Sequence, residues 1–177
     1  NSRGGGGYPS TLKRAIDEAN QKEIGFVAAA GNHNGNNDSR PSYPASYNSE
    51  NVISVGASDH RGLKAYFSCY GKTSVDLFAP GVKILSSVPN NKYASFQGTS
   101  MAAPHVSGAY ALLLSANPTW SVAQVKSALI NSTDAESLLK DKCVAGGTLN
   151  VHKALSVEPP KDGVISVDPS KIDFGRI

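Results

Sequence analysis

Residues 26–30 read Phe-Val-Ala-Ala-Ala, with Gly25 before them and Gly31 after. A short, unbroken apolar run between glycines reads as a strand buried on both faces, because neither face alternates with polar residues. Working outward, the same signature returns in VISVGA (52–57), VDLFA (75–79) and VKILSS (82–87), the last two separated by a Pro-Gly turn. These four runs predict four buried strands. Helical spacing fills the intervals. From Ser10, which stands where an N-cap would, Leu12, Ala15, Ile16 and Ala19 share one face and Lys, Arg and Glu side chains the other. A largely apolar helix is expected over 100–116, an amphipathic one over 121–131, and a short one over 151–155. Residues 32–50, rich in Asn, Ser, Gly and Pro, read as loop. Buried strands interleaved with helices predict an α/β fold with a mainly parallel sheet.

The chain has 177 residues, enough for one domain with a sizeable core. After Leu155 the composition changes: SVEPPKDG reads as a linker, and VISVDPSKIDFGRI alternates like the start of a β-sheet module. The expected division is therefore 1–156 and 157–177. The opening NSRGGGGYPS has neither a methionine nor a targeting pattern, so the sequence reads as one that begins mid-chain. A net charge of +3 without a basic stripe argues against a nucleic-acid partner, and no apolar run approaches membrane-spanning length. Cys69 and Cys143 lack metal-ligand spacing; they read as two separately buried thiols, or as one disulfide if the protein is secreted. Asn37 and Asn131 fit the glycosylation triplet, which is common by chance.

Chemistry concentrates in GTSMAAPHVSG, 98–108. Thr99 or Ser100 can cap the helix, and Pro104 is expected within about its first turn. Ser100 has a second reading as a nucleophile: a helix N-terminus favours developing negative charge, and the Ser100 N–H is a candidate oxyanion donor. Gly98, Ala102 and Ala103 leave room for a substrate carbonyl. The nucleophile elbow of α/β-hydrolases is excluded, since the residue two after Ser100 is Ala102 rather than glycine.

GTSMAAPHVSG resembles the nucleophile segment of the subtilisin-like serine peptidases. VAAAGN (27–32), NSRGGGG, SYPASY, VISVGASD, VDLFAPG and GGTLNVHKAL resemble further segments of that family in the expected order. The resemblance covers about residues 1–156 and implies a three-layer subtilisin-like fold, incomplete at its N-terminus. It implies Ser100 as nucleophile and Asn32 as side-chain oxyanion donor. Ser2, Arg3 and Gly4 would pair as an edge with an extended substrate. Ala29, Ala30 and Gly31 would form one wall of the pocket for the residue before the cut, with Ser42 at its floor. It also implies a cis Tyr43–Pro44 bond and a secreted or surface location. No cofactor is required for the chemistry; structural calcium is possible without a recognisable ligand spacing. Arg3 stands where the family often has an apolar residue; it either favours acidic substrates or points outward. The tail SVDPSKIDFG weakly resembles an Ig-like module.

A serine nucleophile needs a histidine base held by a carboxylate. The family's Asp and His lie upstream of NSRGGGG, so the resemblance makes the N-terminal part of the same domain a required partner. His105 cannot substitute: five residues along a helix place it about 140° around and roughly 7.5 Å along the axis. His33 should point away from the Asn32 side, and His60 and His152 read as surface residues. The 177 residues alone are expected to be inactive, since loss of a catalytic base costs about 10⁶ in turnover. The expected function is a serine endopeptidase acting through an acyl-enzyme on Ser100, with a non-catalytic peptide-binding relative as the alternative and an unrelated esterase disfavoured.

Overall fold

The computed structural model describes residues 8–157. Its elements run α1 (Ser10–Asn20), β1 (Phe26–Ala29), β2 (Val52–Ser58), β3 (Leu77–Pro80), β4 (Ile84–Val88), β5 (Lys92–Phe96), α2 (Thr99–Ala116), α3 (Val122–Asn131), β6 (Asp134–Ala135), a 3₁₀ turn (Ser137–Leu139), β7 (Gly147–Thr148) and α4 (Val151–Leu155). The main sheet has the order β1-β2-β3-β7-β6. The first four of these run parallel and β6 closes antiparallel to β7, so the expected mainly parallel α/β sheet is present.

Strand alternation divides the apolar residues between two layers. Val27, Ile53, Val55, Ala57, Leu77 and Ala79 pack with Val106, Ala109 and Leu113 of α2 and Val125 and Leu129 of α3. Ala28 and Val52 face the other way, onto Ile16 of α1 and Tyr47. On that same side Ala30 and Phe78 join Cys69, Leu139 and Cys143. All seven residues of β2 are buried, as a central parallel strand requires. Gly56 is needed there because a β-carbon would come within 2.5 Å of the Phe78 ring.

Several expectations are corrected. VKILSS is not a buried strand: β4 is largely exposed and pairs antiparallel with β5, a strand that sequence reading missed. Asn90 and Asn91 make the reversal, both with left-handed backbone (φ 66° and 57°), which asparagine tolerates well. The third strand begins at Leu77, two residues after the start of VDLFA. Ser10 is the first helical residue rather than the cap; Pro9 holds the N-cap position without a side-chain bond. Ser121 does cap α3, in a reciprocal box with Gln124. Cys69 and Cys143 are free and buried, and Tyr43–Pro44 is cis. The expected linker and Ig-like tail lie outside the described residues, apart from Ser156 and Val157.

Leu113 is fully buried between α2 and the sheet. In the full-length protein, Leu113→Ala should cost about 2–5 kcal/mol in urea unfolding, through lost burial and a residual cavity. An unchanged midpoint would mean that this layer is not a packed core.

Candidate active site

The C-terminal end of β1 and the start of α2 meet through three hydrogen bonds. The Thr99 N–H donates to Asn32 Oδ1 at 2.8 Å, and the Thr99 hydroxyl donates to the same oxygen at 2.9 Å. The Thr99 oxygen in turn accepts from the Gly31 N–H at 3.2 Å. A backbone N–H can only donate, so the amide atom facing Thr99 is the oxygen, and Nδ2 is turned away. Thr99 is fully buried and Asn32 is exposed. The arrangement presents an amide N–H₂ group with its other end anchored.

Gly98 sets the geometry of the turn. Its φ of +152° is disfavoured for residues with a β-carbon. A β-carbon there would lie 3.4 Å from Asn32 Nδ2 and 3.7 Å from the Ser100 N. Asn32 Nδ2 and the Ser100 N therefore flank the position a Gly98 side chain would occupy. The helix begins at Thr99 with Gly98 as N-cap and no side-chain cap, so Ser100 is not a capping residue, contrary to the sequence reading. Pro104 sits in the second turn rather than the first and supplies no N–H to the helix ladder.

Ser100, Ala29 and Pro44 line one groove of about 290 Å³, together with Phe26, Val27, Ala28, Ala103, Pro104 and Ser107. Strand alternation turns Ala29 toward α2, whereas the Ala30 side chain lies in the buried cluster with Cys69 and Phe78. Ala30 can meet a ligand only through its backbone, and its carbonyl already accepts from Asn37 Nδ2 at 2.9 Å. Ser42 is buried beside the groove-lining Pro44, its N–H bonded to Ser46 Oγ at 3.0 Å. Ser2, Arg3 and Gly4 lie outside the described residues.

The loop carrying Asn32 is laced to the segment 67–70. Asn34 N bonds to Phe67 O, Asn37 N to Tyr70 O, Cys69 N to Gly31 O and Tyr70 N to Gly35 O, at 2.7–3.0 Å. Asp38 anchors the far end, accepting from the backbone and hydroxyl groups of Thr73 and Ser74. Burial raises the Asp38 pKa, but the bonds from Ser74 and Thr73 outweigh it and hold the carboxyl below its ordinary 3.8.

The four histidines are placed elsewhere. His33 is turned onto Cys69, with Nδ1 3.3 Å from Sγ. His105 is exposed, with Nδ1 donating to the Met101 carbonyl at 2.8 Å. His60 and His152 are exposed. Among the described residues no three carboxylate, histidine or cysteine side chains converge on one point. Asp17, Asp59, Asp76, Asp134 and Asp141 each carry a Lys or Arg partner, and Asp38 is held by Thr73 and Ser74. Thr99 is the residue that sequence reading undervalued. It was visible as a threonine beside Ser100, but its reach to Asn32, 67 positions away, depends on the fold.

The chain is similar to known proteins in sequence and fold. The subtilase family model matches residues 1–153. Subtilisin BL of Lederbergia lenta is 42% identical over 151 residues, covering 84% of this chain and 53% of that protein. Subtilisin DY of Bacillus licheniformis is 44% identical over 155 residues, covering 86% of this chain and 54% of that protein. Among solved structures, the prenylagaramide maturation protease PagA aligns with a TM-score of 0.75 at 30% identity, covering 86% of this chain and 57% of that one. The chain belongs to the subtilase family and spans about half the length of these relatives.

The Asp38 bonds carry a pH signature. Because its folded pKa is lowered, its stabilisation is fully present above the ordinary carboxylate value and is lost as pH falls through the lowered one. Asp38→Asn should therefore lower the urea midpoint of the full-length protein at pH 7, and the gap from wild type should close on acidification below that value. A gap of constant size down to pH 2 would assign the effect to something other than this charge.

Proposed function

We propose that this chain is the C-terminal part of a serine endopeptidase domain in which Ser100 attacks the scissile carbonyl of an extended peptide. The observation that carries the reading is the Thr99 anchor on Asn32, which directs the amide Nδ2 to the space bordered by the Ser100 N–H. Those two donors would hold the oxyanion of the tetrahedral intermediate, while the N-terminus of α2 adds a favourable dipole. Proton transfer from Ser100 Oγ falls to a histidine of the N-terminal part of the same domain, oriented by an aspartate. Collapse of the intermediate expels the amine and leaves an acyl group on Ser100. Water, activated by the same base, then releases the acid product.

The packing supports a missing partner of this kind. Helix α2 is apolar all round, a pattern expected of a helix buried on every side. The described residues cover one face only, leaving Ser107, Gly108, Ala111, Leu112 and Ser115 exposed. β1 stands at the end of the strand order, with the groove between it and α2 beside Ser100. The N-terminal part would cover this helix face and sheet edge and bring the base to Ser100. In the same reading Ser2, Arg3 and Gly4 pair with the substrate main chain, and Ala29, Ala30, Gly31 and Ser42 bound the pocket for the residue before the cut. The reading includes a secreted or cell-surface location. Among the described residues no helix is long and apolar enough to cross a membrane.

In the full-length protein a fluorophosphonate should label Ser100, and Ser100→Ala should abolish both labelling and peptide hydrolysis. Asn32→Leu should lower kcat about 10²–10³-fold with KM little changed, a magnitude known for such a donor in a subtilisin. Thr99→Val, which removes the hydroxyl bond to Asn32 Oδ1 and the acceptor for the Gly31 N–H, should lower kcat by roughly tenfold or more. A folded full-length protein that resists the label would instead be a peptide-binding relative.

A further inference from the structure

The loop that carries Asn32 closes over a thiol. Cys69 is fully buried, yet its Sγ lies 3.3 Å from Nδ1 and 3.5 Å from Nε2 of the exposed His33 imidazole. The loop wraps the ring closely. A β-carbon on Gly31 would come within 3.0 Å of the Cys69 sulfur, and one on Gly35 within 2.6 Å of His33 Nε2. Two glycines thus leave the imidazole as the side chain over this face of the sulfur. Rotation of an exposed ring takes only picoseconds to nanoseconds, so burial of the thiol is no lasting barrier.

One sulfur and one imidazole nitrogen in contact form a ligand pair. Among the described residues no third His, Cys, Asp or Glu converges on them. Zinc, which prefers four ligands, is poorly served by such a pair. Thiolate with imidazole suits soft ions that accept two ligands, namely mercury(II), silver(I) and copper(I).

We propose that Cys69 and His33 bind one soft, thiophilic d¹⁰ cation, and that its binding distorts the Gly31–Asn32 segment and blocks peptide hydrolysis. The inhibitory half rests on the reading of Asn32 as an oxyanion donor; the binding half does not. On binding, the S–H bond breaks, the sulfur–metal bond forms, and the proton leaves to solvent without any change of oxidation state. The neutral imidazole gives a nitrogen lone pair to the second position. Bonds of about 2.3 Å to sulfur and 2.1 Å to nitrogen set collinear donors roughly 4.4 Å apart. Both ring nitrogens now lie at similar distances from the sulfur, 3.3 and 3.5 Å, so the ring must turn to aim one nitrogen lone pair at the cation and move outward by about 1 Å. His33 is bonded directly to Asn32, and Cys69 N–H donates to the Gly31 carbonyl at 2.9 Å. The displacement is therefore applied to the two ends of the Gly31–Asn32 unit. Cys143 offers no such pair: its sulfur lies 3.9 Å from the Leu139 and Gly147 carbonyls, and burial raises its pKa.

The test is titration of the full-length protein with mercuric chloride, read by thiolate–mercury absorbance and by native mass spectrometry. Wild type and Cys143→Ser should each bind one ion tightly at this site, whereas Cys69→Ser and Cys69→Ala should lose it. Circular dichroism verifies that each variant is folded, and two Cys69 variants guard against one failing to fold. In competition with free imidazole, silver(I) affinity should fall at least tenfold in His33→Ala. Hydrolysis should disappear in proportion to occupancy and return with dithiothreitol. Tight binding that survives in both Cys69 variants, or is lost in Cys143→Ser, overturns the site. An unchanged silver affinity in His33→Ala removes the histidine from it. Full occupancy with undiminished hydrolysis overturns the inhibitory half. A protein that binds the ion but never reacts with a fluorophosphonate keeps the site and fails the peptidase reading instead.

Discussion

The bond between Thr99 and Asn32 joins two loops that are far apart in sequence and opposite in origin. One leaves the C-terminal end of β1, and the other enters α2. A parallel sheet brings strand C-termini and helix N-termini to one edge, so backbone donors without helical partners gather there. Thr99 uses its N–H and hydroxyl on the Asn32 oxygen and accepts from Gly31 N. With that oxygen engaged, the amide has one orientation, and the Ser100 side chain is not needed as a cap. The groove opens beside this contact at Ser100, and Gly98 supplies the turn with a backbone φ of +152° that residues with a β-carbon rarely adopt.

What holds Asn32 in place extends beyond Thr99. Residues 31–37 have no regular strand, yet their backbone groups are satisfied by the 67–70 segment, with Asp38 fixing the end against Thr73 and Ser74. An irregular loop can be well positioned when its polar groups have partners. Similar logic governs a pair of half-buried charges. Lys126 donates to the Val52 carbonyl and pairs with Asp76 Oδ1, while Asp76 Oδ2 accepts from Ser54 N, so α3, β2 and the entry to β3 share one ionic junction.

The apolar helix α2 shows how a fold can point beyond its own boundary. Its sequence lacks a polar stripe, while the described packing buries only the side toward the sheet and α3. The remaining face is built of small residues around the exposed Leu112, a surface suited to close approach by another element. Among the described residues β1 is an end strand of the sheet, whose outer backbone groups call for partners.

Much of this was legible in the sequence because burial on both faces erases polar alternation. The runs at 26–30 and 52–57 could be identified as central strands, and the helices at 100–116 and 121–131 by length and spacing. Family resemblance supplied candidate roles for Ser100 and Asn32. The hairpin β4–β5 escaped because its apolar residues are exposed, so hydrophobicity alone did not report burial; only the asparagine pair at the turn hinted at reversal. The cap at Ser100 was misassigned because local helix preference cannot see a competing partner. By itself, then, the sequence determined the layered α/β architecture, whose cause is the local pattern of apolar residues. Tertiary structure alone decided which atom of Asn32 faces outward, that Thr99 rather than Ser100 does the anchoring, and that His33 lies on Cys69. Each of those depends on hydrogen bonds or contacts between residues tens of positions apart, which no local pattern encodes.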